Sequence, residues 1–356
     1  MKKKKVLILG GAGFIGLGIA KFLGQNKDYD ITIADIFTAG QRDLDFNQVT
    51  SDYEIKVIEG DFTIPQIFDK LDKNYHYVYV LASVVGVNRC IEEPHEVIRI
   101  NIALIQNTLN WIKENNISKV LFSSSSECYA STTDTFQYPV PTSEEVPLTI
   151  SEIAHPRFTY AVTKILGESA YFTYGGKYNF PVTIVRYQNI FGPRMGFKHV
   201  IPHLVERFYN NEDPFKIYGS DQSRAFCYIT DAVEGTVLAM ENKNSDQEIF
   251  HIGSPDEITI KELVKTVGDL MGYRGEYVSA PTYPGSVSRR CPDITKSKQQ
   301  LGYSPKVFWR DGLKETVAWY KNYFESGEPI PSGGFKPPEN LSYNQKQFNN
   351  DTEAFI

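Results

Sequence analysis

The chain has only four cysteines in 356 residues, Cys90, Cys128, Cys227 and Cys291, and they lie far apart. Such spacing fits neither a disulfide framework nor a metal-ligand set, so reduced thiols in a cytoplasmic protein are expected. No run reaches the roughly 18 to 20 consecutive apolar residues of a membrane span. The lysines at 2–5 have no apolar stretch of signal-peptide type behind them and lead directly into the first strand, as a solubilising edge. Positive charge is also scarce. With 37 Lys and Arg against 43 Asp and Glu, the net charge of −6 leaves no broad basic field for a nucleic-acid backbone. An anionic ligand must then be met by individual arginines. His199 and His203 have no ligand cluster around them, so no metal is expected. No internal repeat is present.

What the chain does have is an ordinary apolar share of 41% and 13% aromatics, chiefly Tyr and Phe, as in a protein rich in packing rings or in pockets for planar ligands. Residues 6–16, VLILGGAGFIG, read as strand, tight turn and helix. Gly10 permits the turn, Gly13 lets backbone N–H groups approach a pyrophosphate, and Gly16 lets the helix sit close on the strand. The helix N-terminus, with Phe14 and Ile15 in its first turn, then faces the phosphates. Asp35 ends a second strand at 31–35, about 20 residues further on, where an acid accepts from ribose hydroxyls and repels a 2′-phosphate. NAD is favoured over NADP, although a solvated strand-end acid is the plainer alternative and nearby Arg42 leaves room for the phosphate.

Further strands are expected at 55–58, 77–81 and 119–124, with helices through Leu71 and over 94–114 and, later in the chain, an amphipathic helix over 258–271. Strands alternating with helices at this spacing imply an α/β fold, a doubly wound parallel sheet of Rossmann type, with ligands at the carboxyl ends of the strands. The fifth strand runs into Ser123, Ser124, Ser125, Ser126, Glu127, Cys128 and Tyr129. After a proline-rich loop, Tyr160 and Lys164 stand four apart at the start of a helix and share a face. An ammonium there, with a positive nicotinamide, is expected to lower the phenol's pKa and make it a base near neutral pH.

These residues resemble an extended short-chain dehydrogenase/reductase of the sugar-nucleotide epimerase/dehydratase group. The likeness rests on GGAGFIG, Asp35, Gly60 and Asp61, LAS at 81–83, Asn101 and Asn107, SSSSECY, YAVTK, RYQNIFGP, RAFCYITD and RRCPD, in order along nearly the whole chain. It implies that Tyr160 removes the sugar hydroxyl proton as hydride leaves for NAD, that Lys164 holds the nicotinamide ribose and tunes Tyr160, and that Ser125 bonds the reacting oxygen. It further implies that Asp61 and Phe62 border the adenine, and that Leu81, Ala82, Ser83 and Asn101 run along the cofactor. Two departures stand out. The family's NxxGTxN is NIALIQN here, with Leu104 and Ile105 for the Gly-Thr pair, and Ala130 replaces the glycine after the serine-loop tyrosine.

Glu127 bears on reaction type. It is either the base that removes the carbon 5 proton after oxidation at carbon 4 or a carboxylate that orders the serine loop. On the substrate side the resemblance implies Ser126, Asn189, His199, Val200 and Tyr218, with Arg224 and Arg290 on a diphosphate. Each arginine alone would more often be a surface ion pair, and His199 is divided between ligand contact and helix start. The expected divisions are a cofactor domain over 1–188 holding Ser125, Tyr160 and Lys164, a substrate lobe over 189–330 with some return to the sheet, and an irregular tail over 331–356. The implied reaction is modification of a nucleotide-diphosphate sugar beginning with oxidation at carbon 4. Epimerisation and 4,6-dehydration stand level, ahead of uronic acid decarboxylation or net 4-dehydrogenation. A non-catalytic NAD-sensing module is the alternative from another class, and a homodimer is implied through helices that include that of Tyr160.

Overall fold

The computed structural model describes residues 3–129, 131–282, 287–328 and 330. Ala130 and the tail over 331–356 lie outside the described residues. Seven strands form one parallel sheet: β1 (Lys4–Leu9), β2 (Tyr29–Asp35), β3 (Lys56–Glu59), β4 (Asn74–Val80), β5 (Asn116–Ser125), β6 (Val182–Tyr187) and the strand Glu248–Ile252. Their order is Glu248–Ile252, β6, β5, β4, β1, β2, β3. Strand side chains alternate between faces, so Val6 and Ile8 enter one core with Ile19 and Ala20, while Leu7 and Leu9 enter the other with Trp111 and Tyr171. Both faces are thus covered, as a parallel sheet requires. The chain leaves β1 for β2 on one side and returns to β4 on the other, which opens a crevice at the carboxyl end of β1.

Several boundaries differ from the sequence reading. β4 begins at Asn74 because Tyr75, Tyr77 and Tyr79 are themselves buried strand residues. Residues 65–70 form a 3₁₀ helix, Pro65–Lys70, rather than an α-helix. The segment Glu257–Thr259 is a strand, paired antiparallel with Ser223–Ala225, and the helix expected from 258 starts at Ile260. A third core gathers the helices Val200–Tyr209, Ile260–Met271 and Trp309–Ser326 around Phe208, Phe215, Leu313 and Tyr320. Among the described residues no helix is long and apolar enough to cross a membrane.

Candidate active site

The cofactor end is built by close backbone approach. Gly10 has φ +83° and a Cβ there would lie 2.6 Å from the Ala82 nitrogen. A Cβ on Gly16 would lie 2.5 Å from the Gly10 carbonyl oxygen. Gly13 caps the helix Phe14–Gly24, whose first-turn N–H groups have no intrahelical acceptor. Phe14 packs toward the third core and Ile15 toward the first, so both offer backbone rather than side chain to the turn. Asp35 is buried and accepts from the Ala12 and Phe37 N–H groups at 3.0 and 2.8 Å. Burial pushes its carboxyl up, against those two bonds. Arg42 lies over the Phe37 ring and pairs with Glu59 at 2.8 Å.

Asp61 accepts from the Thr63 N–H and hydroxyl, while Phe62 points into the second core edge-on to Phe68. Asn107 donates to the carbonyls of Phe62 and Thr63 and so fixes this loop. Leu81 and Ala82 both donate to the Leu9 carbonyl. Asn101 is a clamp: it accepts from Val84 N–H at 2.7 Å and the Ser83 hydroxyl, and donates to Thr163 Oγ1 at 3.1 Å. Thr163 in turn donates to the Tyr160 carbonyl, so the cofactor loop and the Tyr160 helix are held as one unit. Ile105, part of the first departure from the family pattern, reaches Gly167 on that helix, where a Cβ would lie 3.3 Å from it and 2.4 Å from the Phe122 ring.

At the chemical end, helix Thr159–Tyr178 carries Tyr160 and Lys164 on one face. Lys164 Nζ donates to the Ser123 carbonyl at 2.8 Å and lies 5.6 Å from the Tyr160 ring centroid. Burial depresses its pKa to about 8. Burial also raises the Tyr160 phenol well above its ordinary range, and the Ser125 hydroxyl beside it offsets only part of this.

Glu127 lies in the turn that follows β5, its N–H directed at Ser125 Oγ. Its Oε1 accepts from Arg290 Nη1 at 2.6 Å, and its Oε2 lies 3.9 Å from Arg157. Burial would raise this carboxyl, but the charges of Arg290, Arg157 and Arg224 hold it below the usual range. Arg224 and Arg290 are register partners on parallel strands, so the expected pair does come together. Their guanidiniums then diverge. Arg224 donates to the carbonyls of Ser223 and Val287, whereas Arg290, expected on a diphosphate, lies on Glu127. Asn189, at φ 44°, donates to the Ala225 carbonyl. His199 precedes helix Val200–Tyr209 as its exposed N-cap residue without a side-chain cap bond, Val200 packs on the third core, and Arg207 stacks on Tyr218.

A buried network beneath the serine loop was not read from the sequence. Arg186 donates from Nε and Nη2 to Glu168 at 2.8 and 2.6 Å, and from Nη1 to the Tyr129 hydroxyl and the Glu144 carbonyl. Ser124 donates to Glu168 at 2.5 Å, and Tyr129 meets His251 Nε2 at 2.8 Å. The sequence offered one signal, since Glu168 stands four beyond Lys164 on the same helical face. The four cysteines are free and buried. Among the described residues no group of three or more His, Cys, Asp or Glu is placed to hold a metal.

A model of the NAD dependent epimerase/dehydratase family matches residues 6–253. The chain belongs to this family. It is an NAD-dependent enzyme, and the close glycine turn with Asp35 at the crevice fits that cofactor. The chain is 33% identical over 329 residues to the UDP-N-acetyl-alpha-D-glucosaminuronate decarboxylase of Bacillus cytotoxicus, covering 90% of this chain and 98% of that one. It is 30% identical over 311 residues to UDP-glucuronic acid decarboxylase 5 of Arabidopsis thaliana, covering 87% of each. Among solved structures, a UDP-N-acetylglucosamine 4-epimerase from Methanobrevibacter ruminantium, in complex with UDP-N-acetylmuramic acid, matches with a TM-score of 0.78 at 26% identity, over 91% of this chain and 100% of that chain.

Proposed function

We propose that the enzyme oxidises carbon 4 of a nucleotide-linked uronic acid, releases the carbon 6 carboxyl as carbon dioxide and returns the hydride to carbon 4. The observation that carries this reading is Glu127 set between Arg290 and Arg157, next to Ser125 and Tyr160. Guanidiniums at that point suit an anionic group on the reacting sugar. Dehydration, which stood ahead in the sequence reading, needs a base at carbon 5 and an acid for the departing hydroxide. Glu127, held below its ordinary range by the arginines, is a weak base. The residue before it, Ser126, is a buried hydroxyl with no acidity to lend near neutral pH. Decarboxylation needs neither, because a carbon 4 ketone makes the carbon 6 carboxylate part of a β-keto acid.

In this mechanism Tyr160 takes the proton of the carbon 4 hydroxyl while Ser125 bonds the same oxygen. NAD, when bound, supplies the hydride acceptor and donor, and its positive ring favours the phenolate. Lys164, fixed on the Ser123 carbonyl, holds the Tyr160 face of the pocket in place. As carbon dioxide leaves, the electrons of the bond between carbons 5 and 6 move toward the carbon 4 oxygen, where Tyr160 and Ser125 donate. Carbon 5 takes up one proton, and Tyr160 returns its proton to the carbon 4 oxygen as hydride comes back. One uronate and one proton thus give one pentose and one carbon dioxide. Asp35, Asp61 and Asn101 serve the cofactor side, directly or by holding its loops; Ser126, Asn189, His199, Val200, Tyr218 and Arg224 serve the nucleotide side.

The two decarboxylase relatives support this reading. We also infer a cytoplasmic homodimer, supported by the exposed Ile98, Ile102 and Leu166 on two helices packed together. Incubation with UDP-glucuronic acid and UDP-glucose, read by mass spectrometry, tests the reaction. A product lighter by one carbon dioxide from the uronate is expected. An unchanged mass with inverted carbon 4, loss of water, or loss of two hydrogens would replace the reading with epimerisation, dehydration or net oxidation.

A further inference from the structure

Strands β2 and β6 stand on opposite sides of β1, with β4 and β5 also between them. Their carboxyl ends therefore open on either side of the crevice that the glycine turn faces. Two side chains join the chain beyond these ends. Arg194 donates from Nε to Asp43 Oδ2 at 2.6 Å and from Nη2 to the Gln41 carbonyl at 3.4 Å. Asp45 stands 3.9 Å from the same Nε. The arginine side chain is 11% exposed and that of Asp43 30%, so salt weakens this pair less than an open surface one.

Each end of the bridge is anchored in the fold. Asp43 caps helix Leu44–Asp52, its Oδ1 accepting from the Phe46 N–H at 2.8 Å. Phe46 is buried and meets Phe37 edge-on, and the Phe37 N–H donates to Asp35. Gly40 presses on the glycine turn, since a Cβ there would lie 2.5 Å from the Ala12 carbonyl carbon. Residues 35–43 thus form one wall of the crevice. On the other side, a Cβ on Gly192 would lie 3.4 Å from the Phe14 ring, and the Met195 carbonyl accepts from the Tyr320 hydroxyl of the third core. Arg194 and Phe37, at φ 65° and 59°, hold left-handed backbone that residues with a side chain rarely adopt, so their surroundings must fix both.

We infer that Arg194 and Asp43 form a strap that crosses the cofactor crevice, past the first turn of helix Phe14–Gly24, and keeps NAD from leaving. A cofactor reduced and reoxidised in place has to stay bound through every cycle. Release then requires the strap to open, which separates two charges joined by a charge-assisted hydrogen bond. Breaking such a pair acts chiefly on the rate of release. Asp35 and the glycine turn bind the cofactor; the strap holds the wall that carries them against the third core.

The test is the release of radiolabelled NAD from the loaded full-length protein into an excess of unlabelled NAD, without substrate. Arg194→Met and Asp43→Asn are each expected to speed release roughly tenfold, and the double variant no further than the faster single one. Asparagine still caps helix Leu44–Asp52, so Asp43→Asn carries the test if Arg194→Met fails to fold. Arg194→Lys keeps the charge without the planar fork and is expected to recover part of the retention. Unchanged release in both single variants overturns the inference. So does a double variant whose gain is the product of the two single gains, because the residues then act apart, and so does an Arg194→Lys variant that recovers nothing. Because release is measured without substrate, the result is separate from the fate of carbon 6.

Discussion

Replacing Glu168 by Gln tests how much of the site depends on the charge pair beneath it. The side chains of Arg186 and Glu168 are 4% and 7% exposed, and the carboxylate takes two guanidinium bonds and the Ser124 hydroxyl. Glutamine keeps the shape but sets an amide donor against a guanidinium donor and leaves Arg186 charged and buried. Removing one member of such a pair costs about 3–5 kcal/mol. For a chain of this length, at an unfolding entropy of about 2 cal/mol/K per residue, that corresponds to a Tm lower by roughly 5 °C. Scanning calorimetry on NAD-loaded protein measures it. The double variant Glu168→Gln, Arg186→Met is expected to recover most of the loss, because no uncompensated charge remains. Activity is not expected to return with it, since Tyr129 and Ser124 lose the group that aligns the serine loop. A single variant within about 1 kcal/mol of wild type, or a double variant that simply sums two losses, would refute the reasoning.

Gly16→Ala places a methyl 2.5 Å from the Gly10 carbonyl, so NAD affinity measured by fluorescence titration is expected to fall more than about tenfold; unchanged affinity would show that the turn opens freely. Lys164 has a folded pKa near 8 against an ordinary 10.5, so it binds fewer protons folded than unfolded between those values, and stability rises with pH across that window. Lys164→Met is then expected to stabilise the protein near pH 7 by on the order of 2 kcal/mol, with the gain shrinking above pH 8; a gain that is constant with pH would contradict the sign. Tyr160→Phe is expected to abolish turnover while NAD stays bound, and retained turnover would remove Tyr160 from the mechanism.

The parts of this site that are local in sequence were legible there. Gly10, Gly13 and Gly16 lie within one turn, and Tyr160 and Lys164 within another, so spacing alone places them. Asp35 is read from its distance to the turn, yet its bond to the Ala12 N–H is visible only in the structure. Asn101 was readable as part of a frame but not as the clamp that joins Val84 to Thr163. Glu127 and Arg290 are separated by 163 positions, and nothing in either neighbourhood encodes their meeting. The same holds for Tyr129 and His251, brought together by adjacent elements of a folded core rather than by sequence periodicity. Strand Glu257–Thr259 was missed because its pairing with Ser223–Ala225 overrides a helical pattern that continues past it.

The central claim is that carbon 6 of a sugar-nucleotide leaves from a site whose NAD is reduced and reoxidised in place. UDP-glucuronic acid labelled with carbon-13 at carbon 6, followed by NMR during turnover, tests it most directly. The account predicts that the label appears wholly as carbon dioxide and bicarbonate, with an unlabelled UDP-pentose formed in equal amount and no net NADH. Label retained in a carbon 4 epimer would contradict it.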